Sequence, residues 1–194
     1  MYYDLIHFLS YSKQHHNNYT RLHHTPEKYM ADQMTLIGAG KRFIDELYRM
    51  VQDNPMFDDL NGQEIAALAN FMKAYEAKKN TVIMNEGETE GHMCMLLQGR
   101  LEVHKQDETG HSKKLSIVRP GKSIGEMSLI DGMPHSATVI AAEDSKLLLI
   151  SSDNFRNYLD KHPEAGLRLV LKIARLMSMR LRQTSGILVD YLSE

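Results

Sequence analysis

The residues best suited to chemistry in this chain lie between Arg119 and Val139. A glycine turn, Pro120-Gly121-Lys122, precedes a short helix expected to start near Gly125 and Glu126. The first N–H groups of a helix have no intrahelical partner, so such a start attracts anions. Gly125 lets the backbone approach an anion closely. Glu126 is an acceptor suited to a sugar hydroxyl, and Ser136 is a donor suited to a phosphate oxygen. Lys122 reads either as a second cation beside that site or as a solvated residue of its turn. This is the chemistry of holding a sugar phosphate without breaking a bond.

Enzymatic chemistry finds less support. His92, His104, His111 and His135 lack the His-x-His spacing, followed by Glu, that a metal-dependent cupin requires. No nucleophile–base arrangement is visible, so neither a catalytic residue nor a metal site is expected. The pairs His15-His16 and His23-His24 place neighbours on different faces of a helix, and no cysteine or carboxylate completes a zinc-type set there. The single cysteine, Cys94, sits in the apolar run Met93–Leu97. It reads as a core residue and not a nucleophile.

The elements that position the Arg119–Val139 stretch change period along the chain. Residues 1–32 read as a polar arm carrying Tyr2, Tyr3, Tyr11, Tyr19 and Tyr29. Residues 33–79 read as N-terminal helices. Over 33–52, Phe43, Leu47, Met50 and Val51 share a helical face, and Asn54-Pro55 stops the helix. Asn61 is the expected N-cap of a second helix over 62–76, with Ile65, Leu68, Ala69 and Met72 on one face. From 80 to 150 the period falls towards two. Short strands are expected at 82–84, 93–97, 101–104, 115–118, 137–140 and 146–150, separated by glycine turns. Such spacing suggests an all-β barrel or roll. From 151 to 194 the helical period returns, with a short helix capped by Ser152 or Asp153 and ended by His162-Pro163. A long helix follows. In it Val170, Ala174, Met177, Leu181, Thr184, Leu188 and Tyr191 are spaced as a heptad seam, which suggests a homodimer. Gly186 either costs this helix about 1 kcal/mol relative to alanine or marks a break. Arg175, Arg180 and Arg182 read as its basic, solvent-facing side, with one of them able to reach the base or a partner.

Bulk properties bound the class. The chain has 194 residues, net charge −2 and 42% hydrophobic residues. That is one globular domain with attachments, and no global basic field draws it to DNA or to an acidic membrane. No run approaches the ~18 apolar residues of a membrane span, and no secretory signal is readable. A lone cysteine permits no intrachain disulfide framework. A soluble cytoplasmic protein is expected.

The segment Gly125-Glu126-Met127-Ser128-Leu129 with Pro134-His135-Ser136-Ala137 resembles the phosphate-binding cassette of the cyclic-nucleotide-binding domain family, roughly Gly-Glu-x-Ala-Leu and then Pro-Arg-Ser/Thr/Ala-Ala. Upstream, Glu86-Gly87-Glu88 and Leu97–Val103 are similar to that family's early turns. The resemblance spans about residues 55–185, flanking helices included. It implies a mainly β fold with flanking helices: a double-stranded β-helix, or jelly-roll-like β-roll, with N-terminal helices and a long C-terminal helix. It further implies a cAMP or cGMP ligand. Glu126 would then meet the ribose 2′-hydroxyl, and the Met127 and Ser128 N–H groups the cyclic phosphate. Ser136 would add its hydroxyl, and the long helix would close over the base and carry the signal by its movement.

One position departs from the pattern: His135 stands where the family has arginine. Histidine is shorter and mostly neutral at pH 7. Losing a charge-assisted pair costs ~1.5–3 kcal/mol, one to two orders of magnitude in affinity. Binding is therefore expected to be weaker and to improve as pH falls. Two functions remain open: a cyclic-nucleotide sensor signalling to an unknown effector protein, or a β-roll that binds no ligand and serves as a dimerisation and interaction module. No helix-turn-helix follows the long helix before Glu194, so direct DNA binding is not expected.

Overall fold

Met93, Cys94, Met95 and Leu96 are all buried, and so are Leu147, Leu148, Leu149 and Ile150. A strand alternates its side chains between two faces, so runs buried throughout must lie between two layers. The computed structural model, which describes residues 34–39, 47–48, 51, 54–89 and 91–192, with side chains to 190, shows both layers. Met93, Met95, Leu148 and Ile150 face a cluster shared with the helices. Cys94, Leu96, Leu147 and Leu149 face the interior of a two-sheet roll.

The elements run β1 (Thr35–Ala39), α1 (Gly62–Ala69), β2 (Lys73–Ala77), β3 (Val82–Met84), β4 (His92–Gln98), β5 (Leu101–Gln106), β6 (Ser112–Val118), β7 (Ser123–Ile124), α2 (Glu126–Asp131), β8 (Thr138–Ala141), β9 (Ser145–Ser151), α3 (Ser152–Lys161) and α4 (Pro163–Leu192). One sheet has the order β1-β2-β9-β4-β7 and the other β3-β8-β5-β6. Their pairings are antiparallel. The fold is the mainly β roll with flanking helices and a long C-terminal helix that the sequence pattern implies.

Three expectations need correction. The helical face read over 33–52 holds at Leu47 and Val51, which are helical and buried, but Thr35–Ala39 is a strand. The helix from Gly62 ends at Ala69, and Lys73–Ala77 is a strand paired with β9 from Lys73↔Leu149 to Ala77↔Ser145. The cap of α3 is Ser151, whose hydroxyl accepts from the Asn154 N–H at 3.3 Å. Residues 1–32, Phe43 and Met50 lie outside the described residues.

Local signals hold elsewhere. Asn61 caps α1 in a capping box: its side chain accepts from Gln63 and Glu64, and the Glu64 carboxylate accepts from the Asn61 N–H. Such caps stabilise a helix by about 1 kcal/mol. Pro163 opens α4, where its missing N–H costs nothing. The helix runs on through Gly186. Ala165, Leu169 and Ile173 bury one face of α4 against the helical cluster. From Leu181 to Asp190 every residue is exposed.

Candidate functional site

The site is built on α2 and the two segments that carry it. β7 pairs with β4 through Cys94↔Ile124 and Met95↔Ser123 and delivers the chain to Gly125. Gly125 is the N-cap of α2, with φ 86°. Glycine is needed there twice over. That φ disfavours any L side chain, and a Cβ would stand 2.3 Å from the His92 carbonyl oxygen and 2.6 Å from the Met84 methyl. The second half of the cassette is held by the turn after β3. The Gly87 N–H donates to the His135 carbonyl at 2.8 Å, and the His135 N–H to the Glu88 carbonyl at 2.9 Å. The Glu86 N–H donates to the Thr138 hydroxyl at 3.1 Å.

Glu126 is buried at the first position of α2, with its side chain 6% exposed. Arg180, from the fifth turn of α4, donates to its Oε1 and, at 2.7 Å, to the Ser123 carbonyl. The other carboxylate oxygen, Oε2, is buried and has no hydrogen-bond partner among the described residues. An unpartnered charged acceptor in a dry place is unfavourable, so this oxygen is suited to a donor from outside the protein. A hydroxyl supplies one.

The remaining expected site residues divide into two groups. Gly125, Glu126 and Ser128 gather at the start of α2. Met127 and Ser136 are exposed on its rim, and the Ser136 carbonyl accepts from Lys105 at 2.6 Å. His135 goes elsewhere. Its side chain is buried behind the start of α2. Its Nδ1 lies 3.1 Å from the Ser128 hydroxyl and its Nε2 lies 3.4 Å from His92 Nδ1. Lys122 is exposed, as its turn suggests.

Sequence reasoning missed two participants. Arg180 was not singled out from Arg175 and Arg182, yet it extends the spacing of Ala165, Leu169, Ile173 and Leu176, the face that α4 packs on the roll. That spacing was the signal. His92 had none, because it is the first residue of a strand whose partner, His135, lies 43 positions away.

Cys94 is the core residue expected, and burial pushes its thiol up to about 12, with the Glu126 charge adding to the effect. Two shallow cavities, one lined by Glu76, Lys78, Asp144 and Lys146, the other by Asn54, Met95 and Gly121, lie away from α2. Among the described residues, no group of three or more His, Cys, Asp or Glu is placed to hold a metal ion, and no helix is long and apolar enough to cross a membrane.

Residues 75–162 match the cyclic nucleotide-binding domain family. A CRP-like cAMP-activated global transcriptional regulator of Mycobacterium tuberculosis is 22% identical over 135 residues, 70% of this chain and 58% of its own. A cAMP-dependent protein kinase regulatory subunit of Yarrowia lipolytica is 27% identical over 109 residues, 56% of this chain and 28% of its own. The chain thus spans less than two thirds of either relative. Among solved structures, a cyclic nucleotide-binding domain from Methylobacillus flagellatus superposes with a TM-score of 0.75 at 24% identity, covering 88% of this chain and 97% of that one.

Proposed function

Because residues 75–162 of this chain are a cyclic nucleotide-binding domain, we propose that the protein is a regulatory sensor that binds cAMP or cGMP at the start of α2 and signals through α4. The observation that carries this reading is the unpartnered, buried Oε2 of Glu126. Arg180 takes the other oxygen and so orients the carboxylate with one acceptor left for a ribose hydroxyl. Gly125 lets the chain turn into α2 against the His92 carbonyl, and the Met127 and Ser128 N–H groups meet the cyclic phosphate. Ser136 stands on the rim as a further donor. The relatives named for cAMP activation and cAMP dependence support the ligand class.

The same contacts make α4 the output element. Arg180 joins it directly to the ribose-binding carboxylate, so a ligand on Oε2 changes how firmly α4 is seated. The far face of α4 carries Leu167, Leu171, Ala174, Ser178, Leu181, Ser185 and Leu188, all exposed and spaced as heptad positions. Val170 and Met177, which the sequence seam included, pack instead on the core. The stripe is about 30 Å long at 1.5 Å per residue, and a second copy of the helix covers it in a homodimer. An effector protein reads the resulting arrangement.

Calorimetric titration with cAMP, cGMP and 5′-AMP tests the ligand. One cyclic nucleotide is expected to bind, 5′-AMP is not, and Glu126→Ala removes binding. Absence of heat with either cyclic nucleotide at millimolar concentration sinks the sensor reading. It favours the second reading, a roll acting only as a dimerisation and interaction module, to which the exposed α4 stripe also points.

A further inference from the structure

Leu101 and Val103 of β5 are buried inside the roll. Glu102 and His104, whose side chains lie 3.2 Å apart, share the opposite face of the strand. The ladder with β8 runs without a shift from Leu101↔Ala141 to His104↔Thr138. The irregularity with β6, at Val103/His104, puts its extra residue, Leu115, on β6 and not on β5. Side chains alternate along an unbroken strand, so the next residue on the inward face is Lys105.

That face opens onto the cassette. The Lys105 ammonium donates to the Ser136 carbonyl at 2.6 Å and to Glu86 Oε1 at 2.8 Å. The other Glu86 oxygen accepts from the Gln106 N–H at 3.1 Å. Lys105 and the Gln106 N–H together hold the Glu86 carboxyl below its ordinary value of 4.5. The Lys105 side chain is 47% exposed and that of Glu86 26%, so solvent, and a ligand, can reach the pair.

The phosphate of a cyclic nucleotide carries a negative charge. At the family's arginine position His135 is buried and brings no permanent charge. Arg180 is engaged by Glu126 and the Ser123 carbonyl. Lysine is cationic at neutral pH, and Lys105 touches the residue whose hydroxyl is turned to the ligand in the reading above. An ammonium has three N–H donors. Glu86 and Ser136 take two of them, which leaves one for a ligand oxygen, and the flexible stem lets the ammonium turn to it without moving the strand. We propose that Lys105 is the cation that pairs with the ligand's phosphate, in place of the family's arginine, and that Glu86 holds it at the mouth of the roll. This assignment rests on the nucleotide-binding reading.

A structural brace and a phosphate contact differ in sign. In a brace, removal of either partner loosens the same link between β5 and the cassette, and both variants weaken binding alike. In a phosphate contact, Lys105→Met removes an attraction, whereas Glu86→Gln removes a carboxylate that competes with the phosphate for one ammonium. The amide still accepts from the Gln106 N–H and leaves Lys105 to Ser136 and the ligand.

The test is calorimetric titration of the full chain with cAMP and with cGMP, on the parent, Lys105→Met and Glu86→Gln, each checked for folding by far-UV circular dichroism. Lys105→Met is expected to weaken the cyclic nucleotide that the parent binds by about tenfold, the loss of one charge-assisted contact at a half-exposed site. Glu86→Gln is expected to tighten it by about two- to threefold. Added salt is expected to weaken the parent more steeply than Lys105→Met. A Lys105→Met protein that binds as the parent does, equal salt dependence, or a loss with Glu86→Gln overturns the proposal and leaves the sensor reading standing. Where Lys105→Met does not fold, the sign of the Glu86→Gln effect decides. A parent that binds neither cyclic nucleotide overturns the sensor reading and this assignment with it.

Discussion

Arg180→Ala tests whether α4 is fastened to the cassette by charge. Glu126 is 6% exposed at its side chain and Arg180 42%. An exposed ion pair is worth about 0–1 kcal/mol, whereas removing one partner of a buried pair costs about 3–5 kcal/mol. This pair has one dry end and one half-wet end. The substitution also leaves the Ser123 carbonyl without its 2.7 Å donor. The expected cost is about 2 kcal/mol, a fall in Tm of roughly 4–8 °C for a chain of this size. In a Glu126→Gln background the group left behind is a neutral amide, and the same truncation is expected to cost about 1 kcal/mol or less. The chain has no tryptophan, so urea unfolding of the parent, both single variants and the double variant is followed by far-UV circular dichroism. A coupling energy of about 1 kcal/mol is expected. Effects that add within about 0.3 kcal/mol refute the reasoning and return Arg180 to the solvent-facing side of α4.

Three further outcomes follow from the same structure. Gly125→Ala is expected to destabilise by more than about 2 kcal/mol in thermal melts, because its Cβ meets the His92 carbonyl, while Gly132→Ala, with open space around it, costs about 1 kcal/mol from its left-handed φ alone. Arg168 and the Asn61 N–H hold the Glu64 carboxyl below its ordinary value of 4.5. The folded value lies below the unfolded one, so this stabilisation is present above the unfolded value and is lost as pH falls through the folded one. Glu64→Gln is thus expected to cost about 0.5–1 kcal/mol at pH 7, and the gap in urea unfolding is expected to close in acid. Leu181→Asp with Leu188→Asp puts charge on the exposed α4 stripe. Sedimentation equilibrium is expected to change from dimer to monomer, with far-UV circular dichroism still showing the folded roll.

Much of this protein was legible one segment at a time. The strands from Val82 to Ile150 carry their short apolar or alternating runs and their glycine turns in local sequence, and Asn61 with Glu64 spells a capping box three residues apart. The Gly125-Glu126 start of α2 needs only the residues on either side of it. Such features depend on φ, ψ preferences and contacts within a turn, so short-range pattern is enough. The rest depended on partners far along the chain. Lys73-Ala-Tyr-Glu-Ala77 holds helix formers, and it is a strand because β9 offers it a ladder from Lys73↔Leu149 to Ala77↔Ser145. The inward turn of His135 needs His92, 43 positions away, and the seating of Arg180 needs Glu126, 54 positions away. The sequence by itself determined that there is a roll, and it marked the Gly125-Glu126 start of α2 as the expected sugar-phosphate cradle. Only the packing of strand ends and α4 onto that cradle decided which charges serve it, because the energy of a buried charge is set by what surrounds it and not by its neighbours in the chain.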